Sequence, residues 1–355
     1  MSFLRWLALA CAAVVVGGVA AAADAREQAN PYTVHALVSD GATVSAPATD
    51  SNLVNSWGLV AGPTTPWWSA NNGTNTSTLY SGTGSKVALT VAVAGGPTGT
   101  VFNGSATDFV ISQNGKSGVA RFLFATEAGT VVGWSPTVNA AAAVTGADRS
   151  SGGAIYKGLA TTNDRLYASD FHNARVDVFD ASFGLMTLPG AFQDPKVPKG
   201  FAPFGIQALG GNIFVTYAKQ DAAAKDDVPA PGQGYVDEFT PDGQLVAQVV
   251  NSQKKNAPLN AAWGLALAPT GFGNFAGDLL VGNFGNGRVS AYAQSGSKWV
   301  YKGQLRVADG TPIAIDGLWG IAFGNGSASG PTTSLYFLSG PGAEKHGLFG
   351  SITAG

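Results

Sequence analysis

Three oxygen-bearing side chains stand just ahead of a recurring short phrase. Asn55 precedes Trp57-Gly58-Leu59, Asn260 precedes Trp263-Gly264-Leu265, and Asp316 precedes Trp319-Gly320-Ile321. One carboxylate with two amides is an all-oxygen donor set of the kind that Ca²⁺ accepts, so convergence of the three would make a metal site suited to a calcium-dependent hydrolase or lactonase. The set is thin, because no Glu accompanies it, and the plainer role for each residue is turn capping with ordered water. No other cofactor is expected.

The remaining chemistry-bearing residues exclude more than they support. The three histidines, His35, His172 and His346, form no His-x-x-x-His pair, which argues against a zinc hydrolase. His172 beside Arg175 only imitates the His base and Arg of a quinone enzyme. A Gly-x-Ser-x-Gly nucleophile elbow is absent. Two loops offer binding instead of catalysis. Residues 218–234, with Lys219, Asp221, Lys225, Asp226 and Asp227, are the most charged insertion, and long loops on a rigid scaffold often carry function. In Pro66-Trp67-Trp68, adjacent strand residues face opposite ways, so one Trp is expected in the core and the other free to stack on a sugar or partner.

The elements that must position these residues come from an internal repeat. The aromatic-or-Lys, Gly, aliphatic phrase recurs as Trp57-Gly58-Leu59, Lys157-Gly158-Leu159, Phe204-Gly205-Ile206, Trp263-Gly264-Leu265 and Trp319-Gly320-Ile321. The last four occurrences follow one another at propeller-blade spacing, about 50 residues. The gap between 57 and 157 holds two units, and Phe109-Val110-Ile111 marks the missing start. Six units, beginning near 57, 109, 157, 204, 263 and 319, each resolve into short strands parted by Gly, Asn, Asp and Pro turns. The sixth supplies only three. The alternating run Tyr32-Thr-Val-His-Ala-Leu-Val38 is expected to dock beside it as the fourth, removing the open edge. The expected fold is all-β: a six-bladed β-propeller with four-stranded blades, in one domain over 26–355.

Composition agrees. The chain has 355 residues, 49 of them Gly, with 8 Trp, 9 Tyr and 19 Phe and only 12% charged residues, which excludes a disordered or long-helix protein. The net charge of −2 leaves no basic field for nucleic acid. A basic start, an apolar run from Trp6 to about Ala22 and an Ala-rich cleavage site read as a signal peptide over 1–25, with the only cysteine, Cys11, inside it. The mature protein is expected to be exported, periplasmic or extracellular, not inserted in a membrane, and monomeric.

The repeat resembles NHL-type six-bladed propellers, whose phrase is Asp or Asn, two residues, Asn, one residue, Arg, then an alternating strand. Asp170-Phe-His-Asn173-Ala-Arg175 matches in full, and Asn283-Phe-Gly-Asn286-Gly-Arg288 matches with Asn for Asp. Over its length the chain is similar to an uncharacterised family of secreted bacterial propellers with no established activity. The resemblance implies the fold and leaves Asp170, Asn283 and Arg288 as turn or loop contacts. The reading that results is a binding or scaffold module for an unknown protein or glycan, favoured over an enzyme. The calcium-dependent hydrolase and surface carbohydrate binding stand as alternatives.

Overall fold

The computed structural model describes residues 31–42, 44–162, 164–251 and 258–355. The 1–25 leader lies outside these residues. No helix among the described residues is long and apolar enough to cross a membrane.

Glycines on the innermost strands allow six sheets to crowd one axis. A Cβ on Gly58, Gly99, Gly158, Gly205, Gly264 or Gly320 would come within 3.0 Å of backbone in the next blade, and Gly320 meets Trp57, which closes the ring. Only a residue without a side chain tolerates such an approach.

Blade 1 contains Ser56–Val60, Trp67–Asn71, Thr76–Tyr80 and Lys86–Ala92, numbered outward from the axis. Blade 2 has Pro97–Phe102, Phe122–Thr126, Thr130–Trp134 and Val144–Asp148, and blade 3 has Tyr156–Thr162, Arg165–Asp170 and Arg175–Phe179. Blade 4 follows with Phe201–Leu209, Asn212–Lys219, Tyr235–Phe239 and Leu245–Asn251. Blade 5 comprises Ala262–Leu267, Leu279–Asn283, Val289–Ser295 and Lys298–Gln304. Blade 6 takes Leu318–Phe323, Leu335–Ser339 and Leu348–Ala354 from the end of the chain and Tyr32–Ser39 from its start. Consecutive strands within each blade run antiparallel.

The closing strand sits as its alternation predicts. Tyr32 pairs with Ala354, Val34 with Ile352 and Ser39 with Leu348. Tyr32 is buried against Phe272 and Phe275 of blade 5, and its hydroxyl donates to Phe272 O at 3.0 Å.

Blade 2 departs from the sequence reading. Its inner strand is Pro97–Phe102, not a strand starting at Phe109. Phe109 leads into a separate hairpin, Val110–Gln113 with Lys116–Val119, whose Val110 is exposed. The true inner strand escaped notice because it carries Thr98-Gly99-Thr100 in place of an aromatic phrase. Thr98 Oγ1 donates to Tyr156 O of blade 3 at 2.8 Å, a polar tie in the slot that four other blades fill with an aromatic. Blade 3 lacks a full outer strand. Leu185 makes one bridge to Phe179, and Met186 N–H donates to Val178 O.

Candidate functional site at the channel mouth

Each inner strand starts on one face of the ring, and antiparallel order brings the turn between second and third strands to that same face. Two sets of side chains therefore meet there. The residue before each inner glycine is Trp57, Thr98, Lys157, Phe204, Trp263 or Trp319. The residue after each second strand is Asn72, Glu127, Phe171, Gln220, Phe284 or Gly340.

The aromatics of the two sets plug the axis. Trp57 stacks on Trp319 with ring centroids 3.5 Å apart, Trp263 meets both edge-on at 6.1 and 5.8 Å, and Phe204 lies 5.8 Å from Trp319. Phe284 covers Trp319 at 4.1 Å. The tryptophans of the recurring Trp-Gly phrase thus pack on one another across the axis.

Lys157 is the exception in the first set and the centre of the site. Its side chain is 2% exposed, and its ammonium lies 2.5 Å from Glu127 Oε1, 3.1 Å from Asp226 Oδ1 and 5.2 Å from the centre of the Trp57 ring. Burial by itself would lower its pKa, but the adjacent Glu127 and Asp226 carboxylates outweigh this and hold the ammonium above its ordinary value. Asn72 Nδ2 fixes the other Glu127 oxygen at 2.9 Å. Trp263 Nε1 donates to Lys157 O at 2.9 Å, tying blade 5 to blade 3.

Two further carboxyls feel this charge. Burial pushes Asp227 up to about 7, opposed by Lys157 and reinforced by Glu344 and Asp226. Its Oδ2 is shut off from solvent and has no hydrogen-bond partner. Glu344 is also raised by burial, offset by its hydrogen bond with Asn55 and by Lys157. Glu344 and Ala343 hold positive φ of 65° and 55° within the turn Pro341–Glu344, a strained conformation for residues with side chains. The site therefore sets one fixed cation among Glu127, Asp226, Asp227 and Glu344.

The residues expected from sequence distribute unevenly. Asp226 and Asp227 belong to the charged insertion, whose Asp226 reaches Lys157, so the insertion meets the channel mouth there. Asn55 is at the mouth, but its Oδ1 accepts both the Trp57 and Trp319 indole N–H at 3.0 and 3.1 Å. Asp316 is exposed and accepts Gly342 N–H at 2.8 Å, steadying the turn that carries Glu344. Asn55 Oδ1 is thus committed to two indoles and Asp316 to the turn at Gly342, and no contact joins either of them to Asn260. Among the described residues no group of three or more His, Cys, Asp or Glu side chains is placed to hold a metal ion.

The turn residues are structural. Asp170 is fully buried and accepts the N–H groups of Ile155 and Asn173 at 3.2 Å. Asn283 likewise accepts Asn260 N–H and donates to Arg288 O. Arg175 is engaged with Asp177 at 2.7 Å, while His172 and Arg288 are exposed outside the plug. Trp67 and Trp68 correct the expectation of an exposed ring. Trp67 is 1% exposed against Tyr336, and Trp68 is 3% exposed and stacked on Phe122 at 4.0 Å. A second strand has a neighbouring blade on each side, so alternation sends its residues into two cores and none to solvent.

Lys157, Glu127, Glu344 and Asn72 were not among the candidates. The available signal was Lys157 itself, a lysine in the slot that most other inner strands fill with an aromatic.

No family model matches the chain. The solved structure of a Bacteroides thetaiotaomicron protein of unknown function gives a TM-score of 0.57 at 14% identity, covering 91% of this chain and 76% of that one. Virginiamycin B lyase from Staphylococcus aureus gives 0.52 at 10%, covering 91% and 99%. Such likeness extends to the propeller fold alone. The sequence relatives come from Acanthamoeba polyphaga mimivirus, so they do not support the bacterial origin that the resemblance implied. One of them, the uncharacterized protein L690, is 29% identical over 339 residues, 92% of this chain and 87% of that protein. The uncharacterized mimivirus protein R648 is 32% identical over 313 residues, 84% of this chain and 75% of that protein, and the chain belongs to its family.

Proposed function

We propose that this propeller is a binding module that takes a small, hydrogen-donating, positively charged molecule at the channel mouth. The observation that carries the reading is the cage around Lys157, where one ammonium faces Glu127, Asp226, Asp227 and Glu344 on an aromatic floor. Acceptors outnumber donors there, so the complement is a ligand rich in N–H groups. The 1–25 leader makes export part of the proposal. The buried Trp67 and Trp68 remove the support for carbohydrate stacking at that position.

The test is tryptophan fluorescence and thermal shift against agmatine and spermidine, with glucose and citrate as neutral and anionic controls. Saturable responses to the amines alone are expected; equal or larger responses to citrate would refute the reading. A second reading is acid–base catalysis at the same mouth. Asp227 is favoured for proton transfer because its pKa stands near neutrality beside a permanent cation. Turnover of a lactone panel with a pH dependence that disappears in Asp227→Asn would support it, whereas turnover unchanged in that variant would exclude this residue.

A further inference from the structure

Three acceptor oxygens where blades 4 and 5 adjoin at the mouth have no donor. Asp227 Oδ2, Gln233 Oε1 and Asn260 Oδ1 are each removed from solvent and without a hydrogen-bond partner. Asn260 is 5% exposed, so its orphaned carbonyl is a buried one. Leaving such an oxygen unmet costs about 1–3 kcal/mol; Gln233 and Asn260 adjoin, and Asp227 lies two residues before Pro229, which borders the Asn260 amide at Gly285.

The chain path draws them together. Gln233 and Asn260 pair as a parallel bridge, and Gly232 N–H donates to Leu259 O at 2.8 Å. Gly285 N–H holds Asn260 O at 3.0 Å. A side chain at Gly285 would strike both Asn260 Oδ1 and Pro229 Cβ, so the absence of one leaves the Asn260 amide its place beside the loop that leads from Asp227. Ala261, next to Asn260, has φ of 48°, strain held at this point of the chain.

We infer that Asp227, Gln233 and Asn260 form a site for a hard divalent cation of the Ca²⁺ type. One carboxylate and two amide carbonyls are ligands that such an ion accepts, with water or backbone carbonyls completing its shell. No thiolate or imidazole takes part, which disfavours zinc. A cation there would also draw the Asp227 proton off. The inference goes beyond the amine-binding reading: it shares Asp227 with the Lys157 cage and adds the Gln233 and Asn260 carbonyls, which the cage does not use.

The test uses the full chain, stripped of metal, with Tb³⁺ luminescence sensitised by the nearby tryptophans and Ca²⁺ as competitor, followed by calorimetry with Ca²⁺ alone. Saturable Ca²⁺ binding is expected at about 10⁻⁴ M, the range of modules with few charged ligands. Asp227→Asn should weaken it at least about tenfold, and Asn260→Asp, which adds a charge, should tighten it by a similar factor. Tightening in Asn260→Asp cannot arise from misfolding. Asp316→Ala should leave the affinity unchanged. Absence of saturable binding at millimolar Ca²⁺, or a loss in Asp316→Ala equal to that in Asp227→Asn, would overturn the site. Amine binding is read separately in chelator, and the Asn260→Asp outcome does not depend on it.

Discussion

Replacing Asp227 by Asn should stabilise the protein, and increasingly so as pH rises. The carboxyl has an ordinary value of 3.8 in the unfolded chain and about 7 in the folded one. Below about pH 4 both states hold the proton and the residue has no pH-dependent effect. Between there and 7 the unfolded chain ionises while the folded one stays protonated, so stability is lost as pH rises through this window. Above 7 the full difference applies, about 4 kcal/mol at 1.36 kcal/mol per unit. Asparagine keeps the shape and cannot ionise, and its amide supplies a donor to a region of unmet acceptors. The advantage of Asp227→Asn over wild type should therefore widen by about 2.5 kcal/mol between about pH 5 and pH 8. Urea unfolding of both proteins across that range, with EDTA present, measures the gap. Asp237, buried in blade 4 and raised to about 8, adds its own slope to both proteins, so the difference between them is the quantity to read. Parallel curves would show that Asp227 is not buried as described and would refute the reasoning.

Other perturbations have expected outcomes of their own. Deleting residues 32–38 should remove the outer strand of blade 6 and expose the Leu348–Ala354 edge, so that the thermal transition is lost or the protein associates; an unchanged melting temperature by circular dichroism would contradict the closure. Gly205→Val should destabilise by several kcal/mol, about 3 or more, because its Cβ would overlap the Trp263 backbone, and a denaturation midpoint equal to wild type would count against the glycine ring. Trp319→Ala should cost about 3–5 kcal/mol and collapse the near-ultraviolet dichroism of the plug, as it opens a cavity among Trp57, Trp263, Phe204 and Phe284.

The fold was legible because its rules are local and repeated. Gly158, Gly205 and Gly264 sit at blade spacing since each inner strand must approach the next, and Tyr32 to Val38 alternates because it finishes a sheet. Blade 2 was hidden where the physics changed, with Thr98 making a hydrogen bond in place of ring packing. The site was less legible. Its ionisable groups, Glu127, Lys157, Asp226, Asp227 and Glu344, come from four blades and are separated in the chain by up to 217 residues, so no spacing rule connects them. Only 12% of the residues are charged, yet five of them converge on one mouth. Asp316 misled for a related reason, since its carboxylate is drawn to the turn Pro341–Glu344, which lies a strand pair further along the chain.

The central claim is that the mouth is a cage for a positive charge, with Lys157 as its resident cation. The most direct test is chemical rescue of Lys157→Ala by n-butylammonium, which carries the missing side chain and charge. Removal of Lys157 should cost about 2 kcal/mol, less than a fully buried pair because Asp226 can regain water. Millimolar n-butylammonium should restore much of the lost melting temperature in the variant, a larger shift than it produces in wild type, and n-butanol should restore none. Equal responses of the variant and wild type, or rescue by the alcohol, would contradict the account.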